Sequence, residues 1–152
     1  MRKLDSKGLE LCDSQGRLFQ RSISEFGCSS SYFIKTFMNS EPVKLVDRIG
    51  FFDSAYILST LSINNPAINN RGSTKYGEKE MYWIGYIYRY WSYTYKLTSK
   101  KVFGLIPGTS LYELYEPYHS LDPAIAISRI IEAKGIKKEE DPLEILKRIY
   151  MM

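Results

Sequence analysis

The stretch from residue 81 to residue 97 constrains the fold more than any other part of this chain. Its sequence is MYWIGYIYRYWSYTYKL, and it contains both tryptophans and six of the 13 tyrosines. A strand of that length without a turn signal would be much longer than usual. On a helical wheel, five residues form one narrow polar stripe, and rings and aliphatic side chains cover the rest: Glu78, Gly85, Arg89, Ser92 and Lys96. We therefore predict a central aromatic-rich helix, about 78–96, surrounded by other helices except along an exposed polar stripe.

Residues 8–23 have the pattern of a small β-hairpin. Leu9 and Leu11 alternate with polar residues, residues 13–16 are the turn-forming sequence Asp-Ser-Gln-Gly, and Leu18-Phe19 resumes the apolar pattern. The fold class predicted for the whole chain is therefore mainly α, a compact helical bundle around the central helix with a small N-terminal β-hairpin.

Capping residues and helical spacing predict the other helices. Ser29–Ser31, Asp53 or Ser54, Thr98-Ser99 and Asp122 are suited to start helices, whereas Gly50 and Gly135 are suited to end them. The resulting segments are 32–39, 42–49, 55–63, 100–106, 110–118, 123–134 and a final helix that starts at Asp141-Pro142.

The length of 152 residues favours one domain with its own core. We divide it into the hairpin and short helices at 1–63, an exposed loop at 64–77 that is rich in Asn and Gly, and a helical core at 78–152. Asp5 follows the first four residues without an apolar segment, and Arg89 and Lys96 interrupt the aromatic stretch, so neither a signal peptide nor a membrane span is expected. We expect a soluble, cytoplasmic protein.

The totals argue against several classes of function. The net charge of +4 is too small to indicate nucleic-acid binding by itself. Cys12, Cys28 and the single His119 cannot complete a Cys/His zinc site, and no cofactor or metal is predicted. The segment 104–110 contains two glycines but lacks the lysine and the spacing of a phosphate-binding loop.

A helix–turn–helix is suggested by residues 100–118, but the second helix carries Glu113 and Glu116 and no lysine or arginine. Carboxylates facing phosphates would weaken binding to DNA, so this corner is expected only to pack. His119 is the residue through which any histidine-dependent enzyme mechanism would have to pass. A histidine at a helix end is more often a capping or surface residue.

Two groups of residues are candidates for contact with a partner. Arg89 and Lys96, with Tyr93 beside them, could hold an acidic partner or a phosphate. The tyrosines at 112, 115 and 118 share a helical spacing and combine large contact area with a polar end, as interface residues do, although a core rim has the same composition. The predicted partner-binding residues are Arg89, Tyr93, Lys96, Tyr112, Tyr115, Tyr118 and His119.

Three segments, 33–40, 81–91 and 115–123, together resemble small bacterial proteins that are similar to antitoxin components of toxin–antitoxin loci. The resemblance covers residues 30–132 and implies no catalytic residues. It implies a non-enzymatic protein that neutralises a toxin-like partner by direct binding, with an aromatic patch covering the partner's site. The alternatives are a nucleic-acid-binding transcriptional regulator and a small enzyme that uses His119, and a homo-oligomer remains open.

Overall fold

The computed structural model describes residues 1–136 and 149–150. Over these residues the chain is mainly helical and contains no strand. The helices, in chain order, are α1 (Ser6–Glu25), α2 (Ser30–Met38), α3 (Glu41–Ile49), α4 (Ser54–Asn64), α5 (Glu78–Tyr95), α6 (Ser99–Leu105), α7 (Gly108–Glu113), α8 (Tyr115–Tyr118) and α9 (Pro123–Lys134), with a 3-10 turn at Ile68–Asn70 between α4 and α5. The predicted final helix starts at Asp141-Pro142, and its residues 141–148 lie outside the described residues.

The predicted β-hairpin at residues 8–23 is wrong, because these residues belong to α1. The Asp5 side chain starts this helix by accepting a hydrogen bond from the Gly8 N–H at 2.8 Å. The buried face of α1 repeats at helical spacing through Gly8, Cys12, Gln15 and Phe19. Glycine and glutamine at buried positions concealed this period in the sequence, and residues 13–16 only imitated a turn.

The central aromatic-rich helix is confirmed as α5, and α1 is the neighbour with which it has its most extensive contact. The two helices run antiparallel. Near the start of α1, Asp5 accepts a hydrogen bond from the Tyr93 hydroxyl at 2.6 Å, and further along, Asp13 accepts one from the Tyr82 hydroxyl at 2.5 Å. This pair is the frame on which the other helices pack.

The remaining helices close the core around that frame. Phe19 of α1 makes edge-to-face contacts with Phe33 and Phe37 of α2, with ring centroids 5.3 Å apart in both pairs. On another side of α5, the buried Tyr88 hydroxyl donates to the Ile106 carbonyl at 2.5 Å and ties α5 to the end of α6. Ile127 and Ile130 of α9 are fully buried in the same core.

The capping residues start and end helices as predicted. Ser29, Asp53, Thr98 and Asp122 accept hydrogen bonds from backbone N–H groups at the starts of α2, α4, α6 and α9. Gly50 and Gly135 end α3 and α9 in the left-handed conformation.

One predicted helix, 110–118, is divided at Leu114 into α7 and α8. Pro117 explains the break, because it has no N–H to donate to the carbonyl of Glu113 and its ring would clash there.

The polar stripe of α5 was predicted to be exposed, and this prediction is wrong for the residues in the middle of the stripe. Gly85, Arg89 and Ser92 are buried, whereas Lys96 at the end of the helix is exposed. The stripe is covered because α1 packs directly over Gly85 and because α3 and α6 bring polar groups to Arg89. Across the described ranges, no helix combines the length and the apolar character that crossing a bilayer requires.

Candidate functional site

Arg89 lies in the interior, with 2% of its surface exposed, at a point where four helices meet. Its Nη1 lies 2.7 Å from Asp47 Oδ1 of α3, its Nε donates to Gln15 Oε1 of α1 at 2.9 Å, and its Nη2 donates to Ser99 Oγ of α6 at 2.9 Å. Arg89 therefore links α1, α3, α5 and α6 through one guanidinium group. A side chain held in this way is not an exposed anchor, and the expectation that Arg89 lies at the surface is corrected.

The groups around Arg89 also satisfy one another. Asp47 accepts hydrogen bonds from the Ser99 N–H at 2.9 Å and the Ser99 hydroxyl at 2.7 Å. Gln15 donates from Nε2 to the Gly85 carbonyl at 3.0 Å. In the part of the chain that the structure describes, every buried side-chain nitrogen and oxygen has a hydrogen-bond partner. The interior charge pair is thus compensated, as buried charges need to be.

Next to this network, a cavity of about 440 Å³ opens between the start of α1 and the ends of α3 and α5. It brings together Arg89, Tyr93 and Lys96, three of the predicted partner-binding residues. We call it the basic cavity, because its charged lining residues are Arg2, Lys7, Arg48, Arg89, Lys96 and one acid, Asp47.

Tyr93 ties the start of the chain to α5 at the edge of the basic cavity. The Arg2 guanidinium lies 3.8 Å from the centre of the Tyr93 ring, and Arg2 Nε donates to the Tyr93 carbonyl at 3.2 Å. The hydrogen bond from the Tyr93 hydroxyl holds the pKa of Asp5 below its ordinary value, and the same bond raises the pKa of Tyr93. Asp5 is therefore ionised and already occupied as a hydrogen-bond acceptor.

Two other predicted residues, Tyr115 and His119, line a separate groove of about 450 Å³. The Tyr115 ring stacks on His119 with centroids 4.3 Å apart and meets Trp83 edge to face at 5.7 Å. We call this surface the aromatic groove, and its lining residues are Gln20, Lys79, Tyr82, Trp83, Tyr86, Tyr115 and His119. Burial raises the pKa of Tyr86 and of Tyr115, so both phenols are neutral in the physiological range.

The last two predicted residues, Tyr112 and Tyr118, do not line this groove. Tyr112 is 38% exposed and stacks face to face on Tyr76, with centroids 3.8 Å apart. Tyr118 is half-buried and packs against the core. The seven predicted residues therefore divide between two surfaces and the core rim, and the structure does not gather them into one patch.

Sequence reasoning did not name Lys79, Tyr82, Trp83 or Tyr86 as partner-binding residues, because it placed most rings of α5 in the core. Their spacing of three and four residues was the available signal, since it places all four on one face of a helix. Trp83 does belong to the core, with 9% of its surface exposed, and it also lines the groove.

His119 is exposed, and its Nδ1 lies 2.8 Å from the Tyr115 carbonyl oxygen. The residues that line the groove with it include no acid and no thiol, and both Cys12 and Cys28 are buried elsewhere. The residues that line the groove therefore provide no thiol with which His119 could form a nucleophile–base pair. Among the described residues, no group of histidine, cysteine and acidic side chains could hold a metal ion.

No family model matches this chain, and neither a curated protein nor a solved structure matches it. Its function must therefore be inferred from its own residues and their geometry.

Proposed function

We propose that this protein is a non-enzymatic binding module that neutralises a partner protein by direct contact, in the manner of an antitoxin. The observation that carries the proposal is the aromatic groove, where rings from α5 and from the α8 segment line one open concave surface. A contact of standard size buries roughly 800 Å² on each partner, so the groove would be its centre rather than its whole extent.

The chemistry of the groove suits a protein partner. Tyrosine and tryptophan combine a large apolar area with a polar tip, and they dominate binding energy at protein interfaces. Tyr82, Tyr86 and Tyr115 present such rings, and Lys79 supplies a charge beside them. Trp83, with 9% of its surface exposed, contributes to the lining from the core. The Tyr76–Tyr112 stack, formed by the loop before α5 and by α7, gives a further aromatic surface on the α7–α8 segment.

The rings of the groove are also held in place before any partner arrives. Tyr115 is fixed between His119 and Trp83, and Tyr82 is fixed by its hydrogen bond to Asp13. Side chains that are already ordered lose less conformational entropy on binding, which favours affinity. The same stacking explains the position of His119 without a catalytic role.

The test is a binding and neutralisation assay with the full chain. The partner is sought by capture of the native complex and by co-expression with the product of the adjacent gene, and the binding affinity is then measured with purified proteins. We expect Tyr115→Ala and His119→Ala to weaken the complex, with Tyr115→Ala costing about 2 kcal/mol or more as an interface anchor does. Both variants should also fail to relieve growth arrest that the partner causes.

Tyr56→Ala is the matched control, because Tyr56 is an exposed tyrosine on α4 that does not line the groove. It should bind and neutralise like the wild type, and circular dichroism should show that all three variants are folded. The proposal fails if folded Tyr115→Ala and His119→Ala bind the partner as tightly as Tyr56→Ala does.

A further inference from the structure

We propose that the basic cavity binds the phosphate chain of a small di- or triphosphate. This site shares no lining residue with the aromatic groove, so it goes beyond the proposed partner binding and stands without it. The inference rests on the charges that line the cavity, on the placement of two lysines and on the shape of the site.

Four exposed cations line the cavity without an acidic partner. Across residues 1–136, no carboxylate oxygen lies within 4.0 Å of the charged nitrogens of Arg2, Lys7, Arg48 or Lys96. Elsewhere on the surface, three cations have such partners, each at 2.9 Å: Arg17 with Asp13, Arg21 with Glu25 and Lys44 with Glu41. Other exposed cations in the same range, such as Lys35 and Lys134, have no acidic partner there either, but they do not converge with further cations on the cavity. The cavity therefore concentrates positive charge that the fold does not neutralise.

Two acids at the cavity do not cancel this charge: Asp47, which lines it, and Asp5, which is bonded to the lining residue Tyr93. Asp47 is neutralised by Arg89 and is hydrogen-bonded to Ser99. Asp5 is bonded to the Tyr93 hydroxyl and to the Gly8 N–H, and it offsets only part of the charge of Arg2. The excess at the cavity is thus three to four positive charges, which is the number that a di- or triphosphate would match.

Helix dipoles explain only part of this arrangement. Arg48 lies in the last turn of α3 and Lys96 at the end of α5, where a helix dipole favours cations. Lys7 lies in the first turn of α1, where the dipole disfavours a positive charge. Its position is therefore not the result of local helix electrostatics.

Lys96 is held in an unusual backbone conformation. Its φ of 55° makes it the one residue other than glycine with a positive φ in the described part of the chain. A residue other than glycine pays about 1 kcal/mol or more for this left-handed conformation, and such strain is often found at functional sites. A lysine in place of the usual glycine keeps an ammonium group at the rim of the cavity.

The shape of the site favours a small ligand over nucleic acid. A volume of about 440 Å³ lies within the range of small-molecule pockets, roughly 300–1,000 Å³. A duplex would need a basic surface that follows the phosphate backbone, whereas these cations converge on one concavity. Arginine and lysine together supply the donors that phosphate oxygens accept, with the guanidinium group able to form paired hydrogen bonds.

The test is calorimetric titration of the full chain with inorganic pyrophosphate and with ATP at low ionic strength. The cavity variant is Lys7→Gln combined with Lys96→Gln. Its control is Lys35→Gln combined with Lys134→Gln, which changes the net charge equally at exposed positions of α2 and α9 outside the cavity. We expect binding to the wild type and to the control, and affinity at least about tenfold lower for the cavity variant, because two charge-assisted contacts are lost.

The two ligands identify what the cavity recognises. Binding of both with similar affinity supports recognition of the phosphate chain alone, and binding of ATP alone supports recognition of a nucleotide. The proposal is overturned if neither ligand binds, if the cavity variant and the control bind equally, or if a short DNA duplex binds to the cavity while both small ligands fail.

Discussion

At the scale of single residues, the ion pair between Arg89 and Asp47 is the feature with the largest expected effect on stability. Both side chains are buried and hydrogen-bonded, with Nη1 and Oδ1 2.7 Å apart. The attraction in such a pair mainly offsets the cost of removing both charges from water, so the pair adds little by itself. Removing one partner is different, because the remaining charge stays buried without compensation.

We therefore predict that Asp47→Ala lowers the free energy of unfolding by about 3–5 kcal/mol. Urea unfolding followed by circular dichroism measures this change. Glu41→Ala is the control, because it removes only the exposed pair with Lys44 and should cost less than about 1 kcal/mol. Equal effects of the two substitutions would contradict the burial of the Arg89–Asp47 ion pair.

At the scale of elements, two glycines set the distance between α1 and α5. A Cβ atom added at Gly85 would lie 2.7 Å from the Gln15 carbonyl oxygen and 2.8 Å from Phe19 Cγ. One added at Gly16 would lie 2.9 Å from the Tyr82 carbonyl oxygen. Because backbone atoms are among these neighbours, a larger residue could be accommodated only if the two helices moved apart.

Gly85→Ala should destabilise the protein by about 1–3 kcal/mol, since the strain of overpacking exceeds the gain in helix propensity. Gly104→Ala in α6 is the matched control, because no atom lies within 4 Å of the added Cβ. Without strain, that substitution should stabilise the protein by up to about 1 kcal/mol. Thermal unfolding of both variants measures the difference, and a stabilising Gly85→Ala would contradict the close approach of α1 and α5.

The same glycines explain where sequence reasoning succeeded and failed. Helices with a capping residue and a local apolar period, such as α2 and α9, were predicted from nearby residues alone. The burial of Gly16 in α1 depends on α5, which follows it by more than 60 residues in the chain, so no local pattern could indicate it.

The surroundings of Arg89 also depend on residues that are distant in the chain, which a local sequence pattern cannot indicate. A helical wheel finds the polar stripe of α5 but cannot show that Gln15, Asp47 and Ser99 converge on it from three other helices. Tyr115 and His119 were identified because their spacing is local, whereas Tyr86 was not named as a partner-binding residue. Trp83 lies in the core, as predicted for most rings of α5, and also lines the groove.

At the scale of the whole molecule, buried thiols and phenols make stability sensitive to alkaline pH. Burial raises the pKa of Cys12 to about 12, from an ordinary value of 9.0. Burial also raises the pKa of Tyr82 and of Tyr88 above their ordinary value of 10.0. These groups keep their protons in the folded state and lose them more readily when the chain unfolds.

A raised pKa in the folded state contributes stability below the unfolded pKa, and that contribution is lost as the pH rises above it. We therefore predict that the free energy of unfolding is level near neutral pH and falls progressively above about pH 9, by up to about 1.4 kcal/mol per pH unit for each such group. Urea midpoints measured across this range test the prediction. A urea midpoint that stays unchanged up to about pH 11 would contradict the burial of the Cys12 thiol and of the Tyr82 and Tyr88 phenols.

The two candidate surfaces lie along different halves of α5. Residues 79–86 contribute to the aromatic groove and residues 89–96 to the basic cavity. The buried network around Arg89 joins the second half to α1, α3 and α6. We infer that this network holds the scaffold rigid while the binding groups lie in the groove and the cavity.

Hydroxyl-radical footprinting of the protein, alone and bound to its captured partner, tests the central claim most directly. It measures by mass spectrometry how readily each exposed ring is oxidised. Tyr115 and His119 should react in the free protein and be protected in the complex, whereas the exposed Tyr56 on α4 should react equally in both. Protection of Tyr56 with unchanged oxidation of Tyr115 and His119 would contradict the assignment of the aromatic groove as the partner-binding surface.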